Sequence, residues 1–259
     1  MKKLTALLVI VAAFLSLNNN SSFSQPQLKL HVTGGYNLPL PDLKGTYPDD
    51  INKDPIPYFM KSGFHAGVDG KYYLGKKRNV GITLSGGYNS FSSGDMTGVV
   101  FSNGNNSVDT GTVLSKMNMI TIGLGIEYNF LPKGKTQPFL GAEFTGNFFS
   151  GNTKYTPKNG NEFEGTLKSA SRFGIAIGGG LDFKLSKQVG AVLGVKYNMS
   201  NLIGKDSATS TGSGNANSTN EYTLYDKETT VTKARNIGFI QLYAGVSFFF
   251  NEPKKTVKK

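Results

Sequence analysis

Ile120-Thr-Ile-Gly-Leu-Gly-Ile-Glu-Tyr-Asn-Phe130 decides the fold. Every even position is large and apolar, and every odd one is Thr, Gly, Glu or Asn. Successive side chains of a strand point to opposite faces, so this period of two describes a strand with one greasy and one polar side. Working outward, the same alternation recurs across the chain. Residues 27–38 set Leu28, Leu30, Val32, Tyr36 and Leu38 against Lys29, His31, Thr33, Gly35 and Asn37. Residues 59–74, 79–91, 137–149, 169–185, 189–199 and 235–250 repeat it, which makes eight predicted strands with the 114–130 run. Residues 75–78, 131–136 and 186–188 form tight turns. The connections after the first, third, fifth and seventh strands read as long polar loops, the last over residues 200–234. Short turns alternating with long loops predict an up-and-down barrel.

The greasy parity belongs outside. The interior of an eight-stranded barrel is just wide enough for side chains to fill, and Leu, Ile, Phe and Tyr on every strand would overfill it. The other parity is rich in Gly, Ser, Thr and Asn and carries far fewer Lys and Glu than a water-facing surface would. Large apolar residues therefore face hydrocarbon. Aromatic residues near strand ends are expected to form the interfacial girdles: Tyr36, Tyr58, Phe59, Tyr72, Tyr73, Tyr88, Phe91, Tyr128, Phe130, Phe148, Phe149 and Phe248 to Phe250. The bland alternative, a soluble sandwich with these residues in its core, shares the alternation.

Composition agrees with export. Residues 1–24 read as a signal peptide: Lys2 and Lys3, then a short apolar run to Leu17, then Ser22-Phe-Ser24 before an expected cleavage at Gln25. There is no cysteine, so neither a lipoprotein anchor nor disulfides are available. Of the formal charge of +11, several lysines lie in the signal and in a basic tail at residues 251–259, expected in the periplasm. The remaining Lys and Arg are spread through turns and loops, so no nucleic-acid partner is expected.

Several elements carry a family resemblance: Gly34-Gly-Tyr-Asn-Leu-Pro-Leu-Pro-Asp42, Tyr128-Asn-Phe-Leu-Pro-Lys133 leading into Gln137-Pro-Phe-Leu-Gly-Ala142, and the closing Leu242-Tyr-Ala-Gly-Val-Ser-Phe-Phe-Phe250. Over residues 27–250 the chain resembles the OmpA/OmpX-type outer-membrane β-barrel domain family. That likeness implies an all-β, eight-stranded antiparallel transmembrane barrel in a Gram-negative cell outer membrane, surrounded by lipid and lipopolysaccharide. It also implies the outer-membrane insertion machinery as a partner during biogenesis, because a last strand ending in Phe is similar to the signal that machinery reads. An extracellular partner would meet the loops.

The lumenal parity carries charges of both signs: Lys29, His31, His65, Asp69, Lys71, Glu127, Glu143, Arg172, Asp182, Lys184 and Lys196. Counted from the turns, Glu127 and Lys71 lie at similar depths, as do Glu143 and Lys196. Buried charges need partners, so an ion-pair network filling the barrel is expected. Its functional version is a gate over a narrow pore for small solutes. A lipid-A-modifying enzyme would need Ser, His and an acid in contact, and only His31 and His65 exist, expected at different depths. Asp50-x-Asn52-x-Asp54 opens like a calcium loop, but Pro55 and Lys61 stand where Gly and a bidentate Glu are needed. No cofactor and no metal is expected.

Overall fold

The computed structural model describes residues 26–102, 108–207 and 221–250; the expected signal peptide and basic tail lie outside them. It contains β1 (Leu28–Pro39), β2 (Ser62–Tyr73), β3 (Val80–Ser92), β4 (Met96–Ser102), β5 (Val108–Asn129), β6 (Thr136–Pro157), β7 (Phe163–Lys184), β8 (Val189–Ile203), β9 (Glu221–Tyr222) and β10 (Gly238–Phe250). Neighbouring strands pair antiparallel in the order β3-β2-β1-β10-β8-β7-β6-β5. The β3–β5 pairing, Val80↔Tyr128 through Ser92↔Lys116, closes the ring at eight strands. Closure leaves the barrel no unpaired strand edge, which strands in hydrocarbon require. Leu28↔Phe250 brings the start of β1 and the end of β10 to the rim that holds the three short turns.

The alternation resolves as two opposite faces. Leu84, Ile122, Leu124 and Ile126 are all more than half exposed, reaching 63% at Ile126, although they are among the most apolar side chains present. The polar parity is enclosed: Lys29, Asn37, Asn129, Gln137, Asn147 and Asp182 are nearly inaccessible. The apolar stripe runs from Ile120 on β5 to Phe130 just past its end. A strand rising about 3.3 Å per residue and tilted about 40° carries that stripe over about 25 Å of the bilayer normal, the height of an outer-membrane apolar band. Lumenal glycines make room for large inward groups. A Cβ on Gly194 would stand 2.3 Å from the Tyr243 ring, and one on Gly67 would stand 2.7 Å from the His65 ring.

Two expectations need correction. Of the aromatic residues assigned to girdles, Tyr36, Tyr72, Tyr88, Tyr128, Phe130, Phe148 and Phe250 do lie on the outer surface, but Tyr73, Phe91, Phe149 and Phe249 are buried inside and Tyr58 packs under a loop. Adjacent aromatics on one strand cannot share a face, and only one of each pair reaches lipid. The connections after the third and fifth predicted strands are also mostly sheet. β5, β6 and β7 each run 22 residues, and β4 pairs with the outer part of β5 from Met96↔Val113 to Ser102↔Val108. They stand as a wall beyond the apolar band. The other two connections are residues 40–61 (loop 1) and 204–237 (loop 4), the latter described over 204–207 and 221–237, where β9 pairs parallel with β7.

Candidate functional site: a paired lumen beneath a loop-built lid

The turn end of the lumen is filled by a buried polar cluster. Lys29 Nζ donates to Gln137 Oε1 at 2.7 Å and to Asp182 Oδ2 at 3.0 Å. His31 Nε2 and Ser247 Oγ each stand 2.9 Å from Asp182 Oδ1. Beside them Lys71 and Tyr73 both bond to Glu127. Lys71 Nζ also sits 3.9 Å from the Phe139 ring centroid, and Lys184 Nζ sits 5.1 Å from that of Phe249. A cation over an aromatic face is held by the ring's quadrupole, so these rings serve as partners as well as packing.

Midway along the axis Lys196 Nζ reaches both oxygens of Glu143, at 3.1 and 3.2 Å, and Ser85 Oγ donates to the same carboxylate at 2.9 Å. Asp69 faces a cavity of about 20 Å³ together with Lys71, Glu143 and Lys196. A second cavity of about 30 Å³, bordered by His65 and Asn89, lies further out. Each has room for a water or two. His65 contacts Thr33 Oγ1 at 3.3 Å. Ser247, His31 and Asp182 do meet, but serine and imidazole both point at one carboxylate oxygen, and none of the three is accessible. A nucleophilic relay needs serine on the imidazole and room for a substrate.

The outer mouth is where the unforeseen residues gather. Phe91, Met117, Met119, Phe149 and Phe239 point inward at the rim, and Leu43, Met60, Leu224 and Ile237 from loops 1 and 4 pack onto them. Phe91 and Phe239 meet edge to face with centroids 5.1 Å apart. Burial of each such side chain contributes about 1.5–3 kcal/mol, which offsets the cost of ordering two long loops. The lid is pinned to the wall at Arg172. Its Nε and Nη2 grip Asp226 of loop 4 at 2.9 and 3.0 Å, and the same carboxylate accepts from Asn201 Nδ2 at 2.9 Å and Asp206 N at 2.8 Å. Arg172 thus meets none of the strand-borne acids. The two loops also bind each other: Asp42 Oδ2 takes both nitrogens of Asn236 at 2.9 Å, and Tyr58 OH donates to Tyr225 O at 3.0 Å. Burial pushes the Tyr58 phenol above its ordinary range, so it remains a donor.

The missed acid had one signal in the sequence. The strands place five cations in the lumen (Lys29, Lys71, Arg172, Lys184 and Lys196) against four acids (Asp69, Glu127, Glu143 and Asp182). Asp226 makes the count even. Among the described residues no group of three or more His, Asp or Glu side chains is arranged to hold a metal ion.

A closed eight-stranded barrel, apolar outside, ion-paired within and capped at one mouth, defines a small transmembrane β-barrel. The sequence matches the family described as outer membrane protein beta-barrel domain over residues 5–224, and the chain belongs to that family. It is a protein of the cell outer membrane. The match ends before β10, the last strand of the ring in the sequence. No curated protein matches the sequence. Among solved structures the chain is similar to Neisserial surface protein A of Neisseria, at 13% identity and TM-score 0.44, covering 86% of this chain and 97% of that one. It is also similar to OprG of Pseudomonas aeruginosa, at 12% identity and TM-score 0.45, covering 88% and 98%. A third likeness is to Ail, the attachment invasion locus protein of Yersinia pestis, at 13% identity and TM-score 0.39, covering 85% and 98%.

Proposed function

We propose that this protein is a non-conducting barrel whose extracellular wall and lid present a binding surface, with a structural or adhesive role in the envelope. One observation carries the reading: the outer mouth is closed by an apolar core shared between the barrel wall and both long loops. A pore that passes solutes needs a continuous wet path, and moving an ion through such a core is costly. The turn end is obstructed as well, by Lys29, Tyr73, Gln137 and Phe249, all almost fully buried. The rival reading, a narrow pore gated by exchange of charge partners, needs both obstructions to move. The wall built by β4 to β7 supports the binding reading, because it extends the strands beyond the apolar band, where an extracellular partner would meet their side chains.

Planar-bilayer recording of the refolded barrel separates the two readings. Wild-type protein and the Glu143→Ala variant are both expected to stay at baseline. Steady openings of wild type, altered in size or selectivity by Glu143→Ala, would overturn the closed-barrel reading in favour of the pore.

A further inference from the structure

Above the lid core, between the inner face of the β5–β6 wall and loops 1 and 4, lies a chamber of about 170 Å³. It is several times larger than the two lumenal cavities and comparable to an apolar cavity of about 150 Å³ that is known to admit benzene. Its floor is apolar, formed by Met60, Met117, Leu167 and Leu224. Its sides carry Tyr58, Tyr222 and Tyr225, with Ser115, Thr153 and Thr223 also lining it. Tyr222, 38% exposed, marks its rim.

One side chain makes the chamber more than a packing defect. The Arg235 guanidinium lies 4.0 Å from the Tyr58 ring centroid and 5.3 Å from that of Tyr225. It donates to Tyr225 O from Nε at 2.8 Å and also from Nη2, and to Ile56 O from Nη1 at 3.3 Å. These acceptors are neutral carbonyls. They fix the plane of the group without cancelling its charge, and they use three of its five N–H donors. A guanidinium held this way in an apolar, aromatic chamber favours a planar anion that can take its remaining donors side by side.

We infer that this chamber binds a small organic carboxylate with a one-ring apolar body, the body on the methionine and leucine floor between tyrosine faces and the carboxylate on Arg235. The inference rests on the outward-facing lid described above and deepens that reading. A neutral ligand of the same shape would leave the guanidinium's remaining donors without a partner once water is displaced, so selectivity for the acid follows.

The test uses the full mature chain in lipid nanodiscs, with 4-phenylbutyrate and 4-phenylbutanol as probes, read by calorimetry against empty nanodiscs. The acid is expected to bind saturably, and at least about tenfold more tightly than the alcohol, as for loss of a charge-assisted hydrogen bond. Arg235→Met is expected to abolish that preference. Because Arg235 also ties the two loops together, Tyr222→Ala at the rim supplies a second variant; it is expected to weaken the acid several-fold while heat-modifiability on gels is unchanged. Absence of saturable binding, equal binding of acid and alcohol, or acid binding unchanged in both variants would each overturn the inference. A silent barrel that binds neither probe removes this inference alone, whereas a conducting barrel removes the closed-barrel reading whatever the chamber binds.

Discussion

Arg172 shows what a single lumenal charge can do. It sits on the inward parity of β7, as alternation requires, but its partner Asp226 lies 54 residues away in loop 4. Both are buried, and the pair is bidentate. Removing one member of such a pair leaves the other charge stranded, at a cost of about 3–5 kcal/mol, whereas removing both together costs much less. Arg172→Met or Asp226→Leu alone is therefore expected to free loop 4, raising hydrogen exchange at the Ile237 amide, which donates to Asn201 Oδ1. The double variant should lie closer to wild type. If the two single changes simply add, the pair does not latch the lid.

At the scale of elements, the strands change character where they leave the membrane. Inside it, β5 alternates strictly because one face meets lipid and the other the lumen. Beyond Asn118 both faces are partly wet, the selection for alternation lapses, and Gly, Ser, Thr and Asn take over in residues 150–168. That is why this stretch reads as loop yet pairs as strand, from Gly151↔Leu167 to Tyr155↔Phe163. The lipid face is testable directly. Leu124→Arg, at a site 61% exposed in the middle of the band, should cost about 2–4 kcal/mol in a lipid refolding assay, while Val231→Arg in loop 4 should stay within about 0.5 kcal/mol. Equal tolerance at both positions would place Leu124 in water.

The whole molecule is a sealed cylinder with its lid tied from several sides, and one tie is sensitive to acid. Asp54 of loop 1 accepts from Lys233 N at 2.9 Å and Thr232 Oγ1 at 3.3 Å in loop 4. The Lys233 backbone N–H holds its carboxyl below the usual 3.8, with burial opposing and the Lys233 charge assisting. A depressed acid stabilises its contacts fully above the unfolded value and loses them as pH falls through the folded one. The amide resonance of Lys233 should therefore stay constant from neutral pH down to about pH 5 and then move, with a midpoint below 3.8. A midpoint at or above 3.8 would mean that the tether does not form in solution.

The residues alone determined the number of strands in the ring, though not β4 or β9 outside it, and which face of each ring strand meets lipid, because a period of two is local and lipid and lumen demand opposite chemistry. Depth counted from the turns also brought Lys71 beside Glu127 and Lys196 beside Glu143, pairs that meet in the structure. Tertiary structure alone decided that Tyr73, Phe91, Phe149 and Phe249 fill the ends of the lumen, that loops 1 and 4 close the mouth and that Arg172 answers to Asp226. Loops have no periodicity to read, and contacts between segments far apart in the chain exist only once the ring has closed and brought them together.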